Sequence, residues 1–243
     1  MTNNTYRTAA SASFLPRIVI YLLGMLLLGT GITLSTRLQL GVSPISSVAY
    51  CISELTLLPF GDTTMILYVL YVTVQVVLHL LMQPRPANLR SLILRDLLQL
   101  PVSFPFTRYM NLLTKAIPLF PVDRAGTFWG GFPGRLLLLA VSITLTGIGA
   151  ALSLDMRIVA NPGDGIVQTI ADFLRKKVGN VKNFFDAFCI LVTLMISFLG
   201  FHRLVGLGIG SVAAMLGVGR VIALVNHFFD PAPFLRQSGT ADI

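Results

Sequence analysis

Charge is scarce in this chain. Only 12% of its 243 residues are Asp, Glu, Lys or Arg, against about 25% in a soluble domain, and this argues against a water-soluble fold. There are two cysteines, Cys51 and Cys189, both inside apolar stretches. No disulfide framework is expected, and both read as small core residues. The three histidines, His79, His202 and His227, are scattered. No His-Glu-x-x-His, cysteine pair or carboxylate–histidine spacing offers metal ligands. No Walker loop, Gly-x-Ser-x-Gly elbow or dinucleotide fingerprint occurs. The chain is expected not to be an enzyme, not to use ATP by itself, and to carry no cofactor or metal.

What is abundant is apolar sequence, 54% of the chain. The uncharged runs 18–36, 63–84 and 136–154 each reach the roughly 18 residues that mark a bilayer-crossing helix. Runs of this length imply helices rather than barrel strands, because the backbone must satisfy its own polar groups in lipid. Net charge is +8, from 18 basic against 10 acidic residues. In this setting the excess reads as loops facing the cytoplasm and its anionic lipid. No basic stretch is interleaved with aromatics, so no nucleic-acid partner is expected. The first apolar run is too long for a cleaved signal and lacks a small-residue cleavage site.

The chain also repeats itself at a constant shift of 118 residues. Gly29-Thr-Gly31-Ile-Thr-Leu34-Ser35 returns as Gly147-Ile-Gly149-Ala-Ala-Leu152-Ser153, and Ser43-Pro44-Ile-Ser46-Ser47 as Asn161-Pro162-Gly163-Asp164-Gly165. Arg17 falls on Arg135, and Gly61 on Gly179. This divides the chain into a polar arm (1–14), a first membrane repeat (15–113), a linker rich in proline and glycine (114–133), a second repeat (134–229) and a polar tail (230–243). Each repeat reads as three long helices and one short one. The short segments, 44–58 and 162–177, cover little more than about 22 Å as helices, less than the roughly 30 Å hydrocarbon core. Partial penetration or re-entry is therefore expected, which makes the repeats inverted. Full crossing would make them parallel. Both arrangements leave the two termini in the cytoplasm.

Each short helix begins at a proline preceded by a good N-cap residue, Ser43 or Asn161. A helix starting within the membrane leaves about four N–H groups free and a partial positive charge. Two such ends related by pseudo-symmetry can bind a small anionic or polar solute near the midplane. The candidate binding residues are Ser43, Pro44, Ser46, Ser47, Asn161, Pro162, Asp164, Gly165 and Gln168. Asp164 sits at the third helical position. It reads equally as a carboxylate capping its own helix and as a proton- or cation-coupling group. If it faces the site ionised, it favours a cationic or zwitterionic solute. Gly29, Gly31, Gly147 and Gly149 are expected to serve close helix packing.

Gly29-x-Gly31, the run Leu40-Gly41-Val42-Ser43-Pro44-Ile45-Ser46 and the run Asn161-Pro162-Gly163-Asp164-Gly165 resemble the YczE/YyaS/YitT family of bacterial integral membrane proteins. The resemblance spans about 17–229. It implies membrane location and internal repeats and supplies no substrate. Two readings remain from the sequence. The first is a multipass inner-membrane transporter or channel for a small polar or charged solute. The second is a non-transporting membrane factor that assists or regulates a partner. The bilayer is the expected environment in both, and a homodimer is compatible with either.

Overall fold

A computed structural model describes residues 5–229. Residues 1–4 of the polar arm and the whole tail, 230–243, lie outside the described residues. Among those described, all regular structure is helical. The order is α1 (Thr5–Arg37), α2 (Pro44–Thr56), α3 (Phe60–Leu81), α4 (Leu89–Ala116), the single turn α5 (Phe120–Asp123), α6 (Phe132–Asp155), α7 (Pro162–Leu174), α8 (Val178–Phe201) and α9 (Ile209–Phe228). Five stretches are long and apolar enough to cross a membrane: Leu15–Arg37, Phe60–Leu81, Phe132–Asp155, Val178–Phe201 and Ile209–Phe228.

The short helices stop where their sequences change. Both are 13 residues long. Each is followed by a residue in left-handed conformation, Leu57 at φ 58° and Arg175 at φ 53°. Arg175-Lys176-Lys177 ends the apolar pattern of α7, and Pro59 turns the chain from α2 into α3. α4 is continuous through Pro101 and Pro105, although each proline removes a backbone donor.

α1 and α6 form the central antiparallel pair. Arg17, near the start of the membrane-spanning part of α1, donates Nε to the carbonyl of Met156, just past the end of α6, at 2.7 Å. Arg135 at the start of α6 donates to the carbonyl of Leu38, just past the end of α1, at 3.1 Å. Glycine makes this approach possible. A Cβ on Gly24 would lie 3.0 Å from the Gly149 carbonyl oxygen, and one on Gly31 would lie 2.7 Å from the Ser142 carbonyl oxygen. Gly29 serves a different contact, against the rings of Phe106 and Tyr109 on α4. Gly147 abuts Val221 on α9.

Around this pair, α2 runs parallel to α8, and α7 parallel to the second half of α3. Ser47 and Cys51 on α2 meet Thr193 and Ser197 on α8. Gly165 on α7 lies against Gln75 on α3, and beyond it Arg175 donates to the carbonyl of Gln83 at 3.0 Å. α3 and α4 are antiparallel and carry a buried polar ladder. Gln75 and Gln99 exchange two amide hydrogen bonds, at 3.2 and 2.9 Å, and His79 Nδ1 pairs with Asp96 at 2.7 Å. The apolar core draws on both halves, including Met25, Val48, Tyr68, Tyr71, Ile166 and Phe185.

Candidate functional site at the junction of the short helices

The first turns of α2 and α7 abut. A Cβ placed on Gly163 would lie 3.3 Å from Cγ2 of Ile45, so the second residue of each short helix touches the other. Pro44 and Pro162 occupy the first helical positions and are buried. The two caps differ. Asn161 accepts a hydrogen bond from the Gly163 N–H at 3.0 Å and closes its helix as expected. Ser43 stands at the cap position of α2 with no side-chain cap. It donates instead to the Ser46 hydroxyl at 3.0 Å, leaving the first N–H groups of α2 without a side-chain acceptor.

With Asn161 in the capping role, the Asp164 carboxylate takes no N–H of its own helix. It lies partly buried, and Tyr68 on α3 is buried. On α8, one helical turn beyond Lys182, is Asp186, 4% exposed. Its Oδ2 is 3.9 Å from Lys182 Nζ, and its Oδ1 has no partner. Tyr71 on α3 and Cys189 on α8 are both buried in the apolar core.

Other residues expected at the site serve elsewhere. Ser47 donates to the Pro44 carbonyl and pairs with Thr193, each at 2.7 Å, clamping α2 to α8. Gly165 makes room for the Gln75 and Gln99 amides. Gln168 is exposed and donates to Asp172 at 3.0 Å. The junction thus gathers Ser43, Pro44, Ser46, Asn161, Pro162 and Asp164 from the expected set. The spacing of 118 residues also separates Tyr68 from Asp186 and Tyr71 from Cys189.

A crevice of about 10 Å³ lies beside Ser43, between α1, α6 and α9, and is lined in part by the hydroxyls of Ser35, Ser142 and Thr146. Among the described residues, no group of three or more His, Cys, Asp or Glu is placed to hold a metal.

Among the described residues, the fold is all-helical, with five helices long and apolar enough to cross a membrane and a polar meeting point between two short ones. Within that class, the chain belongs to a family of unknown function, DUF6198, whose family model matches residues 15–227. No curated protein and no solved structure matches it.

Proposed function

We propose that this protein is a multipass inner-membrane transporter or channel for a small polar or charged solute, with its site where α2 and α7 meet. The observation that carries this reading is the contact of two proline-started helix ends at Ile45 and Gly163. One of those ends has no side-chain cap, and the other carries an uncapped carboxylate. Helix ends placed within an apolar molecule need protein, water or a ligand.

The same proposal includes inverted repeats. Arg17 binding the Met156 carbonyl and Arg135 binding the Leu38 carbonyl are one contact exchanged by the shift of 118. The pair α2 with α8 and the pair α7 with α3 exchange in the same way. In this arrangement α2 and α7 re-enter from opposite faces. The cluster Arg175, Lys176 and Lys177 then lies on the face of α1's start, supporting cytoplasmic termini by the positive-inside rule. The resemblance to the YczE/YyaS/YitT family is part of this reading, since its quoted runs form the turn into α2 and the first turn of α7.

The small size of the crevice beside Ser43, about 10 Å³, favours a second reading, a non-transporting membrane factor. A thermal-shift screen of detergent-purified protein separates them. The probes are amino acids, amines, organic acids and inorganic ions, run on wild type, Ser43→Ala and Asp164→Asn. A ligand of the folded state raises the melting temperature by mass action. The transport reading expects a hit that weakens in both variants. No hit with all three proteins folded would count against it and for the factor.

A further inference from the structure

We propose that the outer face of α9 docks a transmembrane helix of another protein, one that carries an Asp or Glu near the middle of the bilayer and pairs it with Arg220. The proposal does not rest on the α2–α7 junction, and it holds for a transporter or for a factor.

Arg220 lies inside a helix able to cross the membrane, eight residues before its end at Phe228. Packing sets its depth. α9 lies on α6, with Gly217 against Ile143 and Val221 against Gly147, so Arg220 is level with the middle of α6. Basic side chains near helix ends snorkel to the interface. Arg220 is about 12 Å from its nearer end at 1.5 Å per residue. Its Cβ also leans toward the helix N-terminus, away from that end.

The Arg220 side chain is exposed, and no ion pair engages it among the described residues. Charges within membrane spans almost always face the bundle interior or a watery cavity and find a partner there. This fold does so elsewhere: Arg108 pairs with Asp62, and His79 with Asp96. α6, the helix beneath Arg220, carries one acid, Asp155, at its last position. That acid is level with Asn226, whose amide, in the orientation that satisfies its neighbours, donates to it at 3.2 Å.

The surroundings of Arg220 fit a helix. Val212, Met215, Leu216, Gly219 and Ala223 are exposed with it at helical spacing. A Cβ on Gly219 would meet nothing within 4 Å. Gly219 and Ala223 stand four apart, the small-x-x-x-small spacing that lets a second helix come close. A second copy of this chain does not answer the charge. Pairing α9 with itself sets two Arg220 side chains into one interface. The acids of the long helices, Asp62, Asp96, Asp155 and Asp186, are not exposed. Glu54 and Asp172 are exposed, but they stand in the last turns of α2 and α7, beside the ends of α8 and α3. The complement is a carboxylate on a helix of different sequence.

The test is photo-crosslinking in native membranes. p-Benzoylphenylalanine replaces Met215 or Ala223 in the full chain, made at its natural level in the cells it comes from. Phe184, on the exposed face of α8, is the control position. Irradiation joins the two α9 positions, and not the control, to one other membrane protein, which mass spectrometry identifies as carrying an Asp or Glu inside a span. Arg220→Leu lowers the adduct severalfold and Arg220→Lys lowers it less. Arg220→Asp restores it when the partner's acid is changed to arginine. The proposal is overturned if adducts form only with a second copy or with lipid, or if neither position gives one. It is equally overturned if the control gives the same adduct, if Arg220→Leu leaves the yield unchanged, or if the charge exchange restores nothing with both proteins in the membrane. Purified Arg220→Leu melts in detergent at or above wild type. A clear fall would place Arg220 in the chain's own packing and overturn the docking face.

Discussion

At the scale of single residues, glycines divide into those that hold helices together and those that do not. A side chain on Gly149 would collide with the backbone nitrogen of Leu28 and the carbonyl oxygen of Gly24, both on the facing helix α1. Backbone atoms cannot swing aside, so relief requires the helices to part. Overpacking of this kind costs about 1–3 kcal/mol. Gly219 in α9 meets nothing within 4 Å and has no contact to protect. There alanine removes the conformational penalty of glycine in a helix and gains about 0.5–1 kcal/mol. Unfolding in detergent should therefore show Gly149→Ala below wild type and Gly219→Ala at or above it. Equal effects would mean that the close approach of α1 and α6 is not what Gly149 secures. The 118-residue shift carries Gly31 onto Gly149, and that spacing was visible in the chain. Gly24, a third member of the contact, has no glycine counterpart and stood out by nothing but its position.

At the scale of elements, the polar ladder between α3 and α4 makes a second forecast. Gln75 and Gln99 are buried and satisfy each other with two hydrogen bonds. Gln75→Leu leaves the Gln99 amide without its partner, at a cost of about 1–3 kcal/mol, whereas removing both amides together is nearer neutral. The double variant Gln75→Leu/Gln99→Leu should thus melt above the single Gln75→Leu. A double variant that melts lower would mean that the amides hold more than each other. This ladder could not be read from the chain. Hydropathy periodicity places Gln75 and Gln99 in apolar helices but says nothing of which helix faces which. The helices themselves were legible because uncharged length alone demands them. Their ends were less so: α8 begins at Val178 and takes in Lys182, and α9 begins only at Ile209, several residues into the apolar stretch after Arg203. A run of Gly206 at φ 78° and Gly208 leads the chain past Leu40 before α9 can start. Ser43 shows the same limit at the site. Residue type marks it as a cap, and only the fold turns its hydroxyl to Ser46.

At the scale of the whole molecule, one geometric question governs the rest: whether the two short helices end on one face or on opposite faces. In this structure the end of α2 lies with the end of α8, where Leu55 packs near Gly200. The end of α7 lies with the end of α3, where Arg175 binds the Gln83 carbonyl. α3 begins where α2 ends, so the length of α3, 22 residues or about 33 Å at 1.5 Å per residue, separates the two. Re-entry then puts Leu57 and Lys176 on opposite sides of the bilayer, with Lys176 cytoplasmic. Full crossing by α2 and α7 would put both in the cytoplasm. Single cysteines at these two positions, in a chain whose buried Cys51 and Cys189 are replaced by serine and alanine, read this directly. A membrane-impermeant thiol reagent added to intact cells should label Leu57→Cys and leave Lys176→Cys for labelling after the membrane is opened. Protection of both in intact cells would favour parallel repeats, and the two helix starts would then share one orientation instead of facing each other. The consequence reaches the site. Only with opposed short helices do Ile45 and Gly163 meet head to head, and only then does one junction stand between the two faces of the membrane.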